Sequence, residues 1–143
     1  MMSASMTDYP VNDRGRCFDP SVSDDHRTYA LLTHLTLLAH SVIPYISIAI
    51  AIAMWQIKKK DSPFVDDHGR EAVNFQLSLI LYSFALPAIA AIIGVLTLGV
   101  GFLLMLPAIA LPFVLGLVGM VMGVIAANRG EYFRYPMTIR FIS

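Results

Sequence analysis

Two histidines, His34 and His40, lie in a stretch from Thr28 to Ile57 that holds no Lys, Arg, Asp or Glu. Ionisable groups in such a setting are candidates for proton relay or metal binding. At about 100° per residue, Thr33, Thr36 and His40 fall close together on one helical face, with His34 on the adjacent strip. The plainer alternative is that neutral imidazoles and nearby hydroxyls join helices by hydrogen bonds. Metal binding has the least support: neither histidine has a second ligand four residues on, and Cys17 is the only cysteine.

A second group is Ser62–Ser78, SPFVDDHGREAVNFQLS, which sets Asp66, Asp67, His68, Arg70 and Glu71 directly against uncharged sequence. On a helix, Asp67, Arg70 or Glu71, Asn74 and Ser78 form one polar stripe, while Asn74 and Gln76 point to different faces. One reading is a polar seam of His34, His40, Asn74 and Gln76 lining a cavity between two helices. The other is that Arg70 and Glu71 snorkel and the amides cross-link the bundle. Asp67, His68, Arg70 and Glu71 are also a candidate contact for a partner, placed on the connecting loop. Farther on, Gly119 and Gly123 make a GxxxG pair extended by Ala127, either a self-association face or an internal helix contact. No nucleophile has an adjacent base, so the expectation is a protein that is not an enzyme and calls for no cofactor and no metal.

These residues must be positioned by membrane helices. The hydrophobic share of 57% exceeds the roughly 45–50% of soluble domains, and the charged share of 14% is far below about 25%. Net charge is zero, which offers nothing to nucleic acid. No charge occurs from Ala72 to Ala127, a run that as one helix would reach about 84 Å against a hydrocarbon core of about 30 Å. It must therefore turn back, most simply at Thr97–Gly101, where two glycines relax the backbone. The fold class expected is an all-α polytopic integral membrane protein with three transmembrane helices, over 28–57, 72–96 and 101–127. Pro44 kinks the first segment, or breaks it into a hairpin and gives four.

Residues 1–27 read as a flexible polar tail, without the apolar core of a secretory signal and without a lipidation motif. Ser23 and two aspartates then offer a helix start. Trp55 and Lys58–Lys60 suit an interface, and Phe64 and Val65 the headgroup boundary. Residues 128–143 read as an interfacial basic tail. With three crossings, the 58–71 loop and the C-terminal tail share a side bearing seven Lys or Arg, against three near the N-terminus. The positive-inside rule then places that loop and the C-terminus in the cytoplasm and the N-terminal tail outside.

Several of these residues resemble a family pattern: Trp55, Lys58–Lys60, Ser62-Pro63-Phe64-Val65, His68-Gly69-Arg70-Glu71-Ala72, Asn74-Phe75-Gln76 and Ser78. Leu32-Thr33-His34-Leu35, Gly130-Glu131-Tyr132, Arg134-Tyr135-Pro136 and Ile139-Arg140-Phe141-Ile142 extend it from about Tyr29 to Ile142. The chain resembles the Tic-twenty-like proteins, small bacterial membrane proteins related to a component of the chloroplast inner-envelope import apparatus. The resemblance implies four membrane helices and an association with protein translocation. The function expected is a non-catalytic accessory or assembly subunit of a bacterial inner membrane, contacting the lipid bilayer and other membrane proteins or itself. A small oligomeric pore or carrier for protons or a small solute is the alternative.

Overall fold

A computed structural model of the chain describes residues 9–40 and 42–142, and its helices are α1 (Asp24–His40), α2 (Pro44–Lys58), α3 (Pro63–Leu96) and α4 (Met105–Asn128). A 3-10 turn, Val100–Leu104, leads into α4. No strand occurs among the described residues, only two isolated antiparallel bridges, Val11 with Cys17 and Phe18 with Glu131.

The first segment is not one kinked helix. Pro44 lacks a backbone donor and holds Ile43 out of helical geometry, at φ −137° and ψ 74°, so α1 stops at His40 and α2 restarts with proline in its first turn. The two then run antiparallel: the Tyr29 hydroxyl donates to the Met54 carbonyl at 2.8 Å, and Ser47 to the Thr36 carbonyl at 3.0 Å. At 17 and 15 residues they are about 25 and 22 Å long, short of a full span. Among the described residues, two helical stretches are long and apolar enough to cross a membrane, Pro63–Leu96 and Val100–Asn128. The structure does not confirm the expected count of three crossings: the broken first segment matches the hairpin that Pro44 offered as the alternative.

The helix expected from Ala72, α3, starts nine residues earlier, because Ser62 and Pro63 supply a strong start. Ser62 is extended and its hydroxyl accepts the Phe64 N–H at 3.2 Å, while Pro63 occupies a position where no donor is needed. Asp67, His68, Arg70 and Glu71 therefore stand on a helix and not on a loop. Phe64 and Val65 do not dip into headgroups, since both are buried in the protein. The turn after α3 falls where the glycines place it, with Leu98 at φ 51° and Gly99 at φ 104°.

All four helices meet at one end. Val22, Ala30, Phe64, Ala127 and Tyr132 form a buried cluster joining the starts of α1 and α3 to the end of α4. The N-terminal segment packs there too: the Asp19 N–H donates to the Gly130 carbonyl and the Tyr132 N–H to the Cys17 carbonyl, both at 2.9 Å. Residues 9–23 are thus tied to the C-terminal segment, and both lie on the same face as the α2–α3 connection. Residues 1–8 of the expected flexible tail lie outside the described residues. At the opposite end, a cavity brings the α1–α2 turn (His40, Pro44, Tyr45) level with Ser83 and Phe84. The rest of the α3–α4 hairpin extends beyond it, with Ile92, Leu98, Leu103 and Leu106 exposed.

Candidate functional site

The polar residues gather in the shared end, and α3 carries most of them. Its stripe Asp67, Glu71, Asn74, Ser78 and Tyr82 recurs at i+4, i+7, i+11 and i+15, one face of a helix. That face holds the C-terminal segment. Asp67 receives two hydrogen bonds from Arg134, each 2.6 Å. The Glu71 carboxylate faces the Arg140 Nε at 2.9 Å and the Arg134 Nε at 3.4 Å. Deeper, Asn74 Oδ1 accepts the Phe141 and Ile142 N–H groups at 3.0 and 2.9 Å, and its Nδ2 donates to the Ile142 carbonyl at 2.8 Å. Ser78 Oγ accepts the Ile139 N–H at 2.9 Å, and the Tyr82 hydroxyl donates to the Met137 carbonyl at 2.6 Å. Irregular backbone beside a membrane helix needs such partners, because lipid offers none.

Beneath the ion pairs lies a buried chain of hydrogen bonds. The Tyr135 hydroxyl is 2.6 Å from His34 Nδ1, His34 Nε2 is 2.6 Å from His68 Nδ1, and His68 Nε2 is 3.1 Å from the Glu131 carbonyl. A carbonyl only accepts, so His68 carries its proton on Nε2, and in the neutral ring Nδ1 accepts. His34 then donates from Nε2 and accepts at Nδ1, and Tyr135 donates to it. Burial first, and the Glu71 carboxylate second, hold the Tyr135 phenol well above its ordinary range, so it keeps that proton. Every polar atom of the two rings is used within the protein.

Small residues make room for this chain. A Cβ on Gly123 would sit 2.9 Å from His34 Nδ1 and from the Tyr135 hydroxyl, and one on Gly119 would sit 2.6 Å from the Phe75 ring. Phe75 in turn stacks on Tyr135, with centroids 4.0 Å apart and planes 9° from parallel. Ala127 is fully buried in the neighbouring cluster. The Gly119, Gly123 and Ala127 face is an internal contact of α4.

Glu131 closes the end. Its carboxylate is almost fully buried and accepts from Asn12 Nδ2 at 2.9 Å, Arg14 Nη1 at 3.1 Å and Arg16 Nη1 at 3.2 Å. Trp55, expected at a membrane interface, is instead 9% exposed and lies against Gly69, its Nε1 donating to Asp66 at 2.7 Å. Arg70 pairs with the same aspartate at 2.7 Å.

The four residues of the expected seam separate. His34 joins His68 and Tyr135, Asn74 holds the C-terminal segment, and Gln76 bridges Ser47 and Thr36 at 2.8 and 2.7 Å. His40 stands apart, beside a cavity of about 240 Å³ lined also by Leu37, Ser83 and Pro112, with its Nδ1 buried and unbonded. None of these hydrogen bonds joins one of the four to another. Nor is any group of three His, Cys, Asp or Glu placed to hold a metal ion among the described residues. Tyr135 and Glu131 were missed as site residues because the side chains that hydrogen-bond theirs lie more than a hundred positions away in the chain.

Comparison with known proteins assigns the chain to a group. Residues 25–142 match the model of the magnetosome magnetite crystal formation protein family, MamF/MmsF. No curated protein and no solved structure matches significantly. The match overturns the resemblance to the Tic-twenty-like proteins, and the translocation role inferred from that resemblance loses its basis. The chain belongs to the magnetosome magnetite crystal formation family.

Proposed function

We propose that this member of the magnetosome magnetite crystal formation family is a non-catalytic accessory subunit of the magnetosome membrane. It anchors by the α3–α4 hairpin and presents a compact charged head at one membrane face. The observation that carries the reading is the distribution of charge. All ten Lys and Arg residues belong to segments that meet at the shared end, while the other end is hydrocarbon. By the positive-inside rule the head faces the cytoplasm. The exposed apolar flanks of α3 and α4 then lie against lipid or against other membrane proteins, and the subunit acts on crystal formation through those contacts.

The buried polar groups support a structural role. The His34–His68 chain ends on a backbone carbonyl, and each ring nitrogen is occupied, which leaves neither ring a free atom for a substrate. His40 retains an unbonded nitrogen beside a cavity, so it is the residue a chemical role would use.

The test is deletion from a magnetite-forming bacterium, with crystal number and size read by electron microscopy. Altered crystals are expected, restored both by the native chain and by His40→Gln. Unaltered crystals on deletion would sink the crystal-formation reading. Failure of His40→Gln to restore them, with the variant present in the membrane at native level, would sink the non-catalytic one.

A further inference from the structure

The arginines around Glu131 exceed what that carboxylate needs. Arg14 and Arg16 each contribute one Nη1 to it, and their side chains remain 58% and 33% exposed. Arg129 caps the end of α4 alongside them. The three line a cavity of about 230 Å³ whose other walls are Met122 and Ile125, on the last turns of α4. Counting Glu131, the cluster carries a surplus of two positive charges. Arg16 is further fixed by its position over the Phe133 ring, 5.5 Å from the centroid.

The location restricts what can bind. Met122 and Ile125 belong to a stretch apolar enough to cross a membrane, and Val118 and Val121 on the same helix are exposed. The arginines stand where that stretch ends. A ligand that fits both parts needs an anion at the level of Arg129 and hydrocarbon running alongside α4. A soluble anion satisfies only the first part, and a neutral lipid only the second. We propose that this groove is a binding site for the phosphate headgroup of an anionic phospholipid, with an acyl chain on Met122 and Ile125. The proposal rests on the membrane placement of α4, and bound lipid would fix the N-terminal segment to the head at the bilayer surface.

The experiment uses the full chain in detergent micelles doped with phosphatidylglycerol or with phosphatidylcholine of equal chain length, and native mass spectrometry counts retained lipid. Retention of phosphatidylglycerol over phosphatidylcholine is expected. Arg129→Gln, which leaves the Glu131 contacts in place, should weaken retention about fivefold, the worth of one arginine at an anionic surface. Lys59→Gln with Lys60→Gln, at the end of α2, should leave it unchanged. Equal retention of the two lipids, or an Arg129→Gln variant that binds as the native chain does, would overturn the proposal. So would displacement of phosphatidylglycerol by inorganic phosphate at comparable concentration, which would mark a site for free anions. Flotation of the chain with liposomes is scored separately, so a failure of membrane placement is told apart from a failure of the lipid site.

Discussion

His34 Nε2 lies 2.6 Å from His68 Nδ1, in a pocket where both rings are fully buried. The Glu131 carbonyl at the far side of His68 sets the direction of the whole chain of bonds, so the two histidines act as one unit. His68→Leu strands the His34 donor and the Glu131 carbonyl together. A loss of about 2–6 kcal/mol is expected, since each of the two stranded buried groups costs roughly 1–3 kcal/mol. Adding His34→Leu should cost much less than it does alone, because the donor it removes is already unpaired. Denaturant unfolding in detergent of the two single variants and the double variant measures this, and additive losses would refute the coupling.

Gly123 and Gly119 allow α4 to approach Tyr135, His34 and Phe75 more closely than any side chain would. Gly123→Ala should therefore destabilise by about 1–3 kcal/mol through overpacking against two rings. Gly116→Ala is the control. Its Cβ would meet only the Leu79 Cδ1, at 3.2 Å, the movable end of a flexible side chain. A near-neutral effect, within about 0.5 kcal/mol, is expected there. Because the glycines face inward, Gly123→Ala should leave the mass measured by light scattering in detergent unchanged. A change of oligomeric state without a change of stability would restore the self-association reading.

Asn74 is the main tether of residues 139–142. Asn74→Leu removes three hydrogen bonds and leaves the Phe141 and Ile142 N–H groups without their acceptor. The end of the chain should then detach while the His34–His68 chain persists. Hydrogen exchange at Phe141 and Ile142 should rise by at least tenfold, with Tyr135 little changed. Equal exchange in the variant and the native chain would show that Ser78 and the ion pairs suffice.

What could be read from the sequence follows from the range of each interaction. The stripe Asp67, Glu71, Asn74 and Ser78 is local, set by helical period, and is visible in the residues themselves. Its partner is not, because Phe141 and Ile142 are 67 and 68 residues away. Pro44 announces a break, but whether the halves bend or fold back depends on the Tyr29–Met54 and Thr36–Ser47 contacts that form only after folding. The start of α3 at Pro63 was legible in Ser62-Pro63 and was obscured by the charges that follow, which suggested a loop. Residues 9–23 are polar and rich in turn formers, so they read as loose. Asn12 Oδ1 instead accepts from the Arg14 and Arg16 N–H groups, and Gly15 turns the chain at φ 71°, which aims both arginines at a distant glutamate.

The shared end has a topological consequence that labelling can check. In a Cys17→Ser background, Asp13→Cys, Lys60→Cys and Leu98→Cys each place one thiol at an exposed position: the N-terminal segment, the α2–α3 connection and the α3–α4 turn. Because residues 9–23 bond to the C-terminal segment and α1 runs back along α2, the first two thiols should lie on one side of the membrane and the third on the other. The ten Lys and Arg accompany the first two, so the positive-inside rule puts that side in the cytoplasm. A membrane-impermeant maleimide on spheroplasts should label Leu98→Cys before lysis, and Asp13→Cys and Lys60→Cys only after it. The opposite order for all three would keep the hairpin and reverse its orientation. Labelling of Asp13→Cys and Lys60→Cys from different sides would mean that the first segment crosses the bilayer whole, and the fold around His34 would have to be abandoned with it.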